Sequence, residues 1–369
     1  MADPRDQIPA YRTIRLTAPP APEAERADTQ AWQARGAYPQ IRFAGAPAFG
    51  VARERDEGGW QLHPWFGVLT PQEARDTMAP HFREQAQHAE QARDQKAARA
   101  WRAAADRMDR EAVNEVTVRG TRFRVVRADR FLRTGPLGPE PPRPADPDPG
   151  EVGDASHAPD PAAGFVIDTI TATGPSEGIL KLELLAAIRK RGTVPDDVRE
   201  DSLRASRSHP GGVLLPAAFV PAELTRGEWG PVHLETSPTP QGARDDLAVH
   251  LRITVPWKQD LDPDARAVYA AAADQLDAGR LDDLTVAGHP FRIVRVERLV
   301  RVGPDGPEGP RPSDFDPQLP VLAEDQPSAD SPADDQDENT PLELDDNARR
   351  FLQLFHEEEA RRQTRHQQR

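Results

Sequence analysis

The stretch Val113–Pro149, VNEVTVRGTRFRVVRADRFLRTGPLGPEPPRPADPDP, has a counterpart 168 residues later at Leu281–Pro317, LDDLTVAGHPFRIVRVERLVRVGPDGPEGPRPSDFDP. Aligned without a gap, 20 of the 37 positions are identical. Similarity at a fixed period indicates a repeated structural unit. We therefore predict a tandem duplication whose two copies are related by a pseudo-twofold axis.

Each predicted copy is a β-meander followed by two helices and a β-hairpin, which makes the fold class α+β. In the first copy, Thr70-Pro71-Gln72-Glu73 has the pattern of a capping box with proline at the first helical position. The second copy has Thr239-Pro240-Gln241 but Gly242 in place of the glutamate, so that helix should begin more weakly. We expect a single helix over Gln85–Asp109.

The rest of the chain divides by composition around the two copies. The predicted segments are an N-terminal arm (1–20), a first repeat unit (21–143), a disordered linker (144–164), a second repeat unit (165–317) with an inserted apolar helix (176–191), an acidic disordered segment (318–340) and a C-terminal amphipathic helix (341–366).

Charge and cysteine content exclude several classes of protein. The net charge is −14, but residues 313–347 alone carry twelve Asp or Glu and no Lys or Arg. The absence of cysteine excludes disulfides, thiolate catalysis and cysteine-ligated metals. No apolar run reaches the roughly 18 to 20 residues of a membrane span, and the N-terminus lacks a signal-peptide pattern. We expect a cytoplasmic protein without membrane contact.

The paired segments T-V-x-G-x-x-F-R-[VI]-V-R and G-P-x-G-P-E-x-P-R-P-x-D resemble an uncharacterised domain-of-unknown-function family of filamentous actinobacteria. The resemblance covers most of residues 38 to 317. It implies no activity.

A repeated polar strip follows each hairpin and is the candidate binding strip. Its turns are Gly-Pro rich, and the prolines remove the N–H groups that a phosphate-binding loop needs. Two interpretations are open: the strip recognises a ligand, or its arginines and carboxylates pair within the chain. The candidate residues are Glu140, Arg143, Glu308, Arg311, Arg127 and Arg295.

Other patterns offer less chemistry. Recurring strand arginines could grip phosphates, but no interleaved aromatic residues accompany them, so nucleic acid is not the expected partner. The ten histidines show no zincin-type spacing, and no nucleophile elbow, Walker loop or dinucleotide fingerprint occurs. We predict no catalytic residue, no cofactor and no metal site.

The C-terminal helix is predicted to bury an apolar face and to dock on its own body, on a second copy or on a partner. Its candidate docking residues are Leu344, Phe351, Leu352 and Phe355. The sequence names no reaction or ligand. The leading hypothesis is a non-enzymatic binding or scaffold protein with an unidentified protein partner. The alternatives are an enzyme or small-ligand binder with a site between the two repeat units, and a weak arginine-mediated nucleic-acid binder.

Overall fold

A computed structural model describes residues 9–64, 66–155, 158–324 and 346–367. The fold is α+β, with helices and antiparallel strands mixed along the chain. The helices are α1 Pro22–Ala37, α2 Pro71–Asp76, α3 Met78–Gln91, α4 Gln95–Arg110, α5 Pro175–Ala186, α6 Asp196–Ser208, α7 Pro240–Val249, α8 Val255–Lys258, α9 Pro263–Gly279, α10 Val321–Glu324 and α11 Asp346–Gln367. The strands are β1 Gln40–Phe43, β2 Ala48–Glu54, β3 Trp60–Leu62, β4 Glu115–Val118, β5 Thr121–Gly135, β6 Gly138–Pro139, β7 Val166–Ile167, β8 Gly211–Thr225, β9 Glu228–Pro231, β10 Asp283–Val286, β11 His289–Gly303 and β12 Gly306–Pro307.

Two compact units divide these elements, and they cut across the predicted repeats. Unit 1 comprises Met1–Ala145, Asp160–Ala218 and Val296–Gln326. Unit 2 comprises Asp146–Pro159, Phe219–Arg295 and Pro327–Arg369. The strip that follows the second hairpin therefore belongs to unit 1, and Asp146 and Asp148 of the first strip belong to unit 2.

Unit 1 is organised around β5. This strand pairs antiparallel with β1, β2, β4 and β6, and its residues Ala128–Phe131 pair with Glu297–Val300 of β11. It is buried almost continuously, as expected for a strand covered on both faces. The alternating residues of β5 supply different cores: Val126 and Ala128 contribute to one, Phe123 and Val125 to another.

The register between β5 and β11 is symmetric about one residue pair. Arg130 lies opposite Arg298, and these residues are themselves 168 positions apart. Phe131 is opposite Glu297, whereas Asp129 is opposite Leu299. Each of the two arginines donates from Nε to a backbone carbonyl, Arg130 to Ala46 at 2.6 Å and Arg298 to Pro216 at 2.8 Å.

The helices of unit 1 begin where the sequence predicts capping. The Thr70 side chain accepts from Glu73 N, and the Glu73 carboxylate accepts from Thr70 N at 3.2 Å, which completes the capping box of α2. The predicted helix Gln85–Asp109 is two helices, α3 and α4, because Arg93 adopts a φ of 60° and Asp94 caps a new helix through Ala97 N. Pro80 lies in the first turn of α3, where its missing N–H is not needed.

Unit 2 joins the outer part of β8 to β9 and pairs β10 with β11. Thr239 caps α7 through Gly242 N, without a glutamate to complete a box. After α7 the chain widens into a π-helical turn, His250–Thr254, before α8. The buried core of this unit includes Leu247, Leu251, Tyr269, Leu276 and Phe291.

The segment predicted as a disordered linker is ordered wherever it is described. Within unit 2, the Asp245 carboxylate accepts from Gly153 N and Ala155 N at 2.9 and 3.1 Å, and Ala155 is buried. Within unit 1, Ala162 is buried in the core. Small side chains allow a segment of low apolar content to pack closely. Among the described helices, none combines the length and apolarity that crossing a membrane requires.

Candidate functional site

The six residues of the candidate binding strip lie inside the protein. Glu140 and Arg127 are 2% exposed, and Glu308 and Arg311 are 5% and 8% exposed. The side chains of Arg143 and Arg295 are 12% and 10% exposed. Their partners are other side chains of the same unit, so the geometry matches the second of the two interpretations, pairing within the chain.

Unit 1 contains a buried ion-pair network centred on Asp129. Arg127 donates from Nη1 to Asp129 at 2.9 Å and from Nε to Asp314 at 3.0 Å. Arg311 donates to Asp129 at 3.3 Å and from Nε to Glu308 at 2.7 Å. Burial acts to raise the pKa of Asp129, but Arg127 and Arg311 outweigh it and hold that pKa at about 2. The carboxylate is therefore charged and satisfied.

The same contacts recur at the positions related by the 168-residue period. Arg143 donates to Glu140 at 2.6 Å, as Arg311 does to Glu308. In unit 2, Arg295 donates to Asp146 at 3.0 Å, as Arg127 does to Asp314 in unit 1. A further aspartate of each strip binds the start of a helix: Asp316 accepts from Gln72 N and Arg75, and Asp148 accepts from Gln241 N and Arg244.

The recurring strand arginines are also buried, so they do not form a basic surface. Their guanidinium groups contact carboxylates, backbone carbonyls and aromatic rings of the protein. Phosphate binding requires accessible cationic groups. The buried members are Arg124, Arg127, Arg130, Arg133, Arg298 and Arg301.

Unit 2 contains a polar pocket of about 270 Å³ beside the π-helical turn. Its polar wall combines residues from β8, the π-helical turn, the end of α8, α9 and β11. Tyr269 and Phe291 contribute aromatic rings to the lining. The lining residues are Glu223, Pro231, Val232, His250, Val255, Lys258, Gln259, Tyr269, His289 and Phe291.

Titratable groups in this pocket are perturbed in two directions. Burial, followed by the positive neighbours Lys258 and His233, lowers the pKa of His250 to about 4. Burial, followed by the charge of Glu223, raises the pKa of Tyr269. His289 contacts the Glu223 carboxylate through Nδ1 at 2.7 Å. At neutral pH His250 and Tyr269 are therefore uncharged hydrogen-bonding groups.

The corresponding region of unit 1 is filled by aromatic rings. His81, 169 positions before His250, packs edge-on against His63 with ring centroids 4.5 Å apart. Trp101 stands 168 positions before Tyr269 and contacts Phe82 and Phe123 at 5.6 and 6.0 Å. The buried phenylalanines of the two hairpins have similar neighbours, since the Phe123–His81 and Phe291–His250 centroid distances are 6.0 and 6.3 Å.

Sequence reasoning missed most residues of this pocket. It did not select Glu223, Lys258, Tyr269 or His289 as candidate residues. The available signal was the difference between the copies: 168 to 170 positions earlier these residues are Arg53, Ala89, Trp101 and Thr121. Residues that recur between the two copies form the ion pairs, whereas most of the pocket residues do not recur.

The C-terminal helix α11 packs on unit 2 through Leu354, Glu358 and the ring of Phe351, so its most buried positions lie beside one of the predicted docking residues. Leu354 and Glu358 are buried, whereas Phe351 and Phe355 are 36% and 43% exposed. Leu352 is partly buried, and the Phe351 ring meets Trp257 edge-on at 5.2 Å. Glu358 binds Arg361 at 2.8 Å and Arg252 at 3.7 Å. Leu344, the remaining predicted docking residue, lies outside the described residues.

Within the described ranges, no group of three or more His, Asp or Glu side chains is arranged to hold a metal ion. The fold and the site define an α+β protein with internal, periodically repeated ion pairs and one polar pocket at a π-helical turn. The chain belongs to a family of unknown function, DUF5954, whose model matches residues 21–317. No curated protein and no solved structure shows significant similarity to it.

Proposed function

We propose that the protein is a non-enzymatic binding protein and that its binding site is the pocket of unit 2. The observation that carries this proposal is the convergence of Glu223, His250, Lys258, Tyr269 and His289 on one small concave space. Ligand sites typically combine an apolar wall with a few convergent polar groups. At the positions 168 to 170 residues earlier, the counterparts of His250 and Tyr269 are the packed rings of His81 and Trp101, and the other three residues are Arg53, Ala89 and Thr121.

Binding fits the pocket better than catalysis. A histidine with a pKa of about 4 is a weak general base at neutral pH, and it is not protonated enough to be a general acid. The carboxylate of Glu223 is already engaged by His289. These groups can orient a ligand by hydrogen bonds without taking its protons.

We also infer that the chain arose by duplication of one module. Three features support this: the symmetric pairing of Arg130 with Arg298, the ion pairs that recur at the 168-residue period, and the similar surroundings of Phe123 and Phe291. On this view one copy kept an open pocket and the other filled it. The site therefore lies within unit 2, not between the repeat units as the small-ligand alternative expected.

The test is an NMR titration of the isotopically labelled full chain, in which the imidazole signals of the histidines are followed. Hexanoate, norleucine, pentylamine and glucose are added one at a time. At least one probe is expected to shift the signals of His250 and His289 saturably. His63 and His81 in unit 1 are the internal control and should not move.

Filling the pocket should abolish this response. Tyr269→Trp introduces the residue that stands 168 positions earlier, and the variant should fold normally and bind no probe. The proposal fails if no probe moves His250 or His289, if His63 and His81 respond equally, or if Tyr269→Trp binds as the unmodified chain does.

Two other hypotheses have less support. The arginine-mediated nucleic-acid binder lacks an accessible basic surface among the recurring arginines, which are buried. A scaffold role through α11 has one favourable feature, the partial exposure of Phe351 and Phe355. Its test is capture of a defined partner by the full chain and loss of that partner from a Phe351→Ala, Phe355→Ala variant.

A further inference from the structure

The pocket of unit 2 contains two opposite charges that do not pair with each other. Glu223 contacts His289 at 2.7 Å, and its side chain is 30% exposed. Lys258 is exposed and forms no ion pair or hydrogen bond of its side chain within the described residues. Opposite charges lining one small space usually approach each other, because the contact is favourable. Here both charges line the same pocket, and no ion pair joins them.

Both charges line the pocket together with the polar side chains of Gln259 and His250. After burial, the charge of Lys258 lowers the pKa of His250 and the charge of Glu223 raises the pKa of Tyr269. The pocket therefore offers a ligand one cationic and one anionic side chain in addition to uncharged hydrogen-bonding groups.

The volume of the pocket limits the size of an occupant. A volume of about 270 Å³ accommodates one small molecule and falls just below the usual range for drug-sized ligands. Phe291 and Val255, 2% and 6% exposed, contribute apolar side chains to the lining. A short aliphatic group would pack there.

We propose that the pocket binds a small zwitterion, a molecule of amino-acid size with one carboxylate, one ammonium group and a short apolar side chain. Its carboxylate is held by Lys258, Gln259 and His250, and its ammonium group by Glu223. This assignment rests on the proposed function. A zwitterion replaces the missing contact between Lys258 and Glu223 with two charge-assisted contacts, which explains why both charges are present.

A matched series of probes tests the charge pattern. Norleucine carries both charged groups, hexanoate only the carboxylate and pentylamine only the ammonium group, on similar aliphatic chains. Titrations of the full chain, followed at the His250 and His289 signals, should give norleucine a dissociation constant at least tenfold lower than either other probe. Glucose, which carries no charge, should bind more weakly than norleucine.

Single substitutions test which charged group of the ligand each of the two side chains binds. Lys258→Met should weaken norleucine to the level of pentylamine, and Glu223→Gln should weaken it to the level of hexanoate. Lys190→Met, at an exposed lysine of unit 1, is the matched control and should leave all titrations unchanged.

The outcomes separate this inference from the proposed function. If hexanoate or pentylamine binds as tightly as norleucine, the zwitterion assignment is overturned but the pocket remains a binding site. The same conclusion follows if glucose is the only probe that binds. The zwitterion assignment is also overturned if both Lys258→Met and Glu223→Gln bind norleucine as tightly as the unmodified chain. If no probe moves His250 or His289, the proposed function falls as well.

Discussion

At the residue scale, two buried arginines on neighbouring strands have opposite electrostatic surroundings. Arg127 faces Asp129 and Asp314, and these carboxylates outweigh burial and raise its pKa. Arg298 is 2% exposed and has no carboxylate within 4 Å among the described residues. It donates to the Pro216 carbonyl and lies over the Phe66 ring, and burial lowers its pKa to about 10. Arg127 is paired directly with two carboxylates, whereas Arg298 has no direct ion pair and only the more distant charge of Asp160 opposes the effect of burial.

Substitution by methionine should distinguish the two arginines. Arg127→Met leaves buried carboxylates without a partner and should cost about 3 to 5 kcal/mol of unfolding free energy. Arg298→Met removes an uncompensated charge while depriving one carbonyl of its donors, so the net change should stay within about 1 kcal/mol. Urea denaturation of both variants at pH 7.5 measures the difference. Equal losses would show that the ion pairs of Arg127 contribute no more than backbone hydrogen bonding does.

Two buried histidines should make the protein sensitive to mild acid. Burial is the main cause that lowers the pKa values of His63 and His250 to about 4, below the ordinary 6.5. The unfolded chain therefore binds more protons between pH 6.5 and 4, so stability is fully present above pH 6.5 and falls as the pH drops through this window. With a pKa of 6.5 in the unfolded chain and about 4 in the folded protein, linkage gives a loss of about 2 kcal/mol at pH 5 for each histidine.

The check is the urea midpoint at pH 7.5 and at pH 5.0. His63→Gln should reduce the loss on acidification, and His356→Gln, at an exposed position on α11, should leave it as in the unmodified chain. An unchanged acid dependence in His63→Gln would mean that folding does not lower the pKa of this imidazole.

At the element scale, the helix α11 shows which side of an amphipathic helix packs against the protein. The sequence favoured the phenylalanine side, but Leu354 and Glu358 are the buried positions. Glu358 accepts from Arg361, and Arg252 of the π-helical turn lies 3.7 Å from it. An ion pair at a helix surface cannot be recognised from helical periodicity, because periodicity ranks apolar residues above charged ones.

Leu354→Ala should therefore release α11, since truncating a buried leucine costs about 2 to 5 kcal/mol. Hydrogen exchange of the amides of residues 346–367 is the measurement, and their protection should fall. Phe355→Ala, at a position 43% exposed, should leave protection nearly unchanged. If protection instead falls in Phe355→Ala and not in Leu354→Ala, the phenylalanine side is the docking face, as the sequence predicted.

At this scale, short sequence patterns predicted a helix start and a hairpin correctly. Thr70 and Glu73 form the predicted capping box, and the predicted hairpin after Val113 is formed by β4 and β5. The break between α3 and α4 was missed because Arg93 adopts a left-handed φ, a conformation that the sequence marks clearly only when glycine stands there. The strip residues were found correctly as a recurring set, but their burial depends on contacts more than 150 residues away, such as Arg127 with Asp314.

At the scale of the whole molecule, each compact unit contains aspartates of the strip that follows the other predicted repeat. Asp314 and Asp316 of the second strip bind Arg127 and Arg75 in unit 1. Asp146 of the first strip binds Arg295 in unit 2. Sequence alone could not distinguish this exchange from pairing within each repeat, because both arrangements use the same residues. The exchange makes each repeat incomplete without the other.

A single repeat should consequently complete itself with a second copy. In a fragment of residues 9–155, Asp146 of one chain can replace Asp314 on Arg127 of the next, and β5 can pair with β5 about Arg130 as it pairs with β11 about Arg298. A closed twofold exchange satisfies both chains equally. Light scattering should therefore show a dimer, and Asp146→Asn with Asp148→Asn should abolish it, whereas Asp56→Asn in an exposed turn should not. A folded, monomeric fragment would contradict the duplication, because a module that is complete by itself has no use for the strip of another copy.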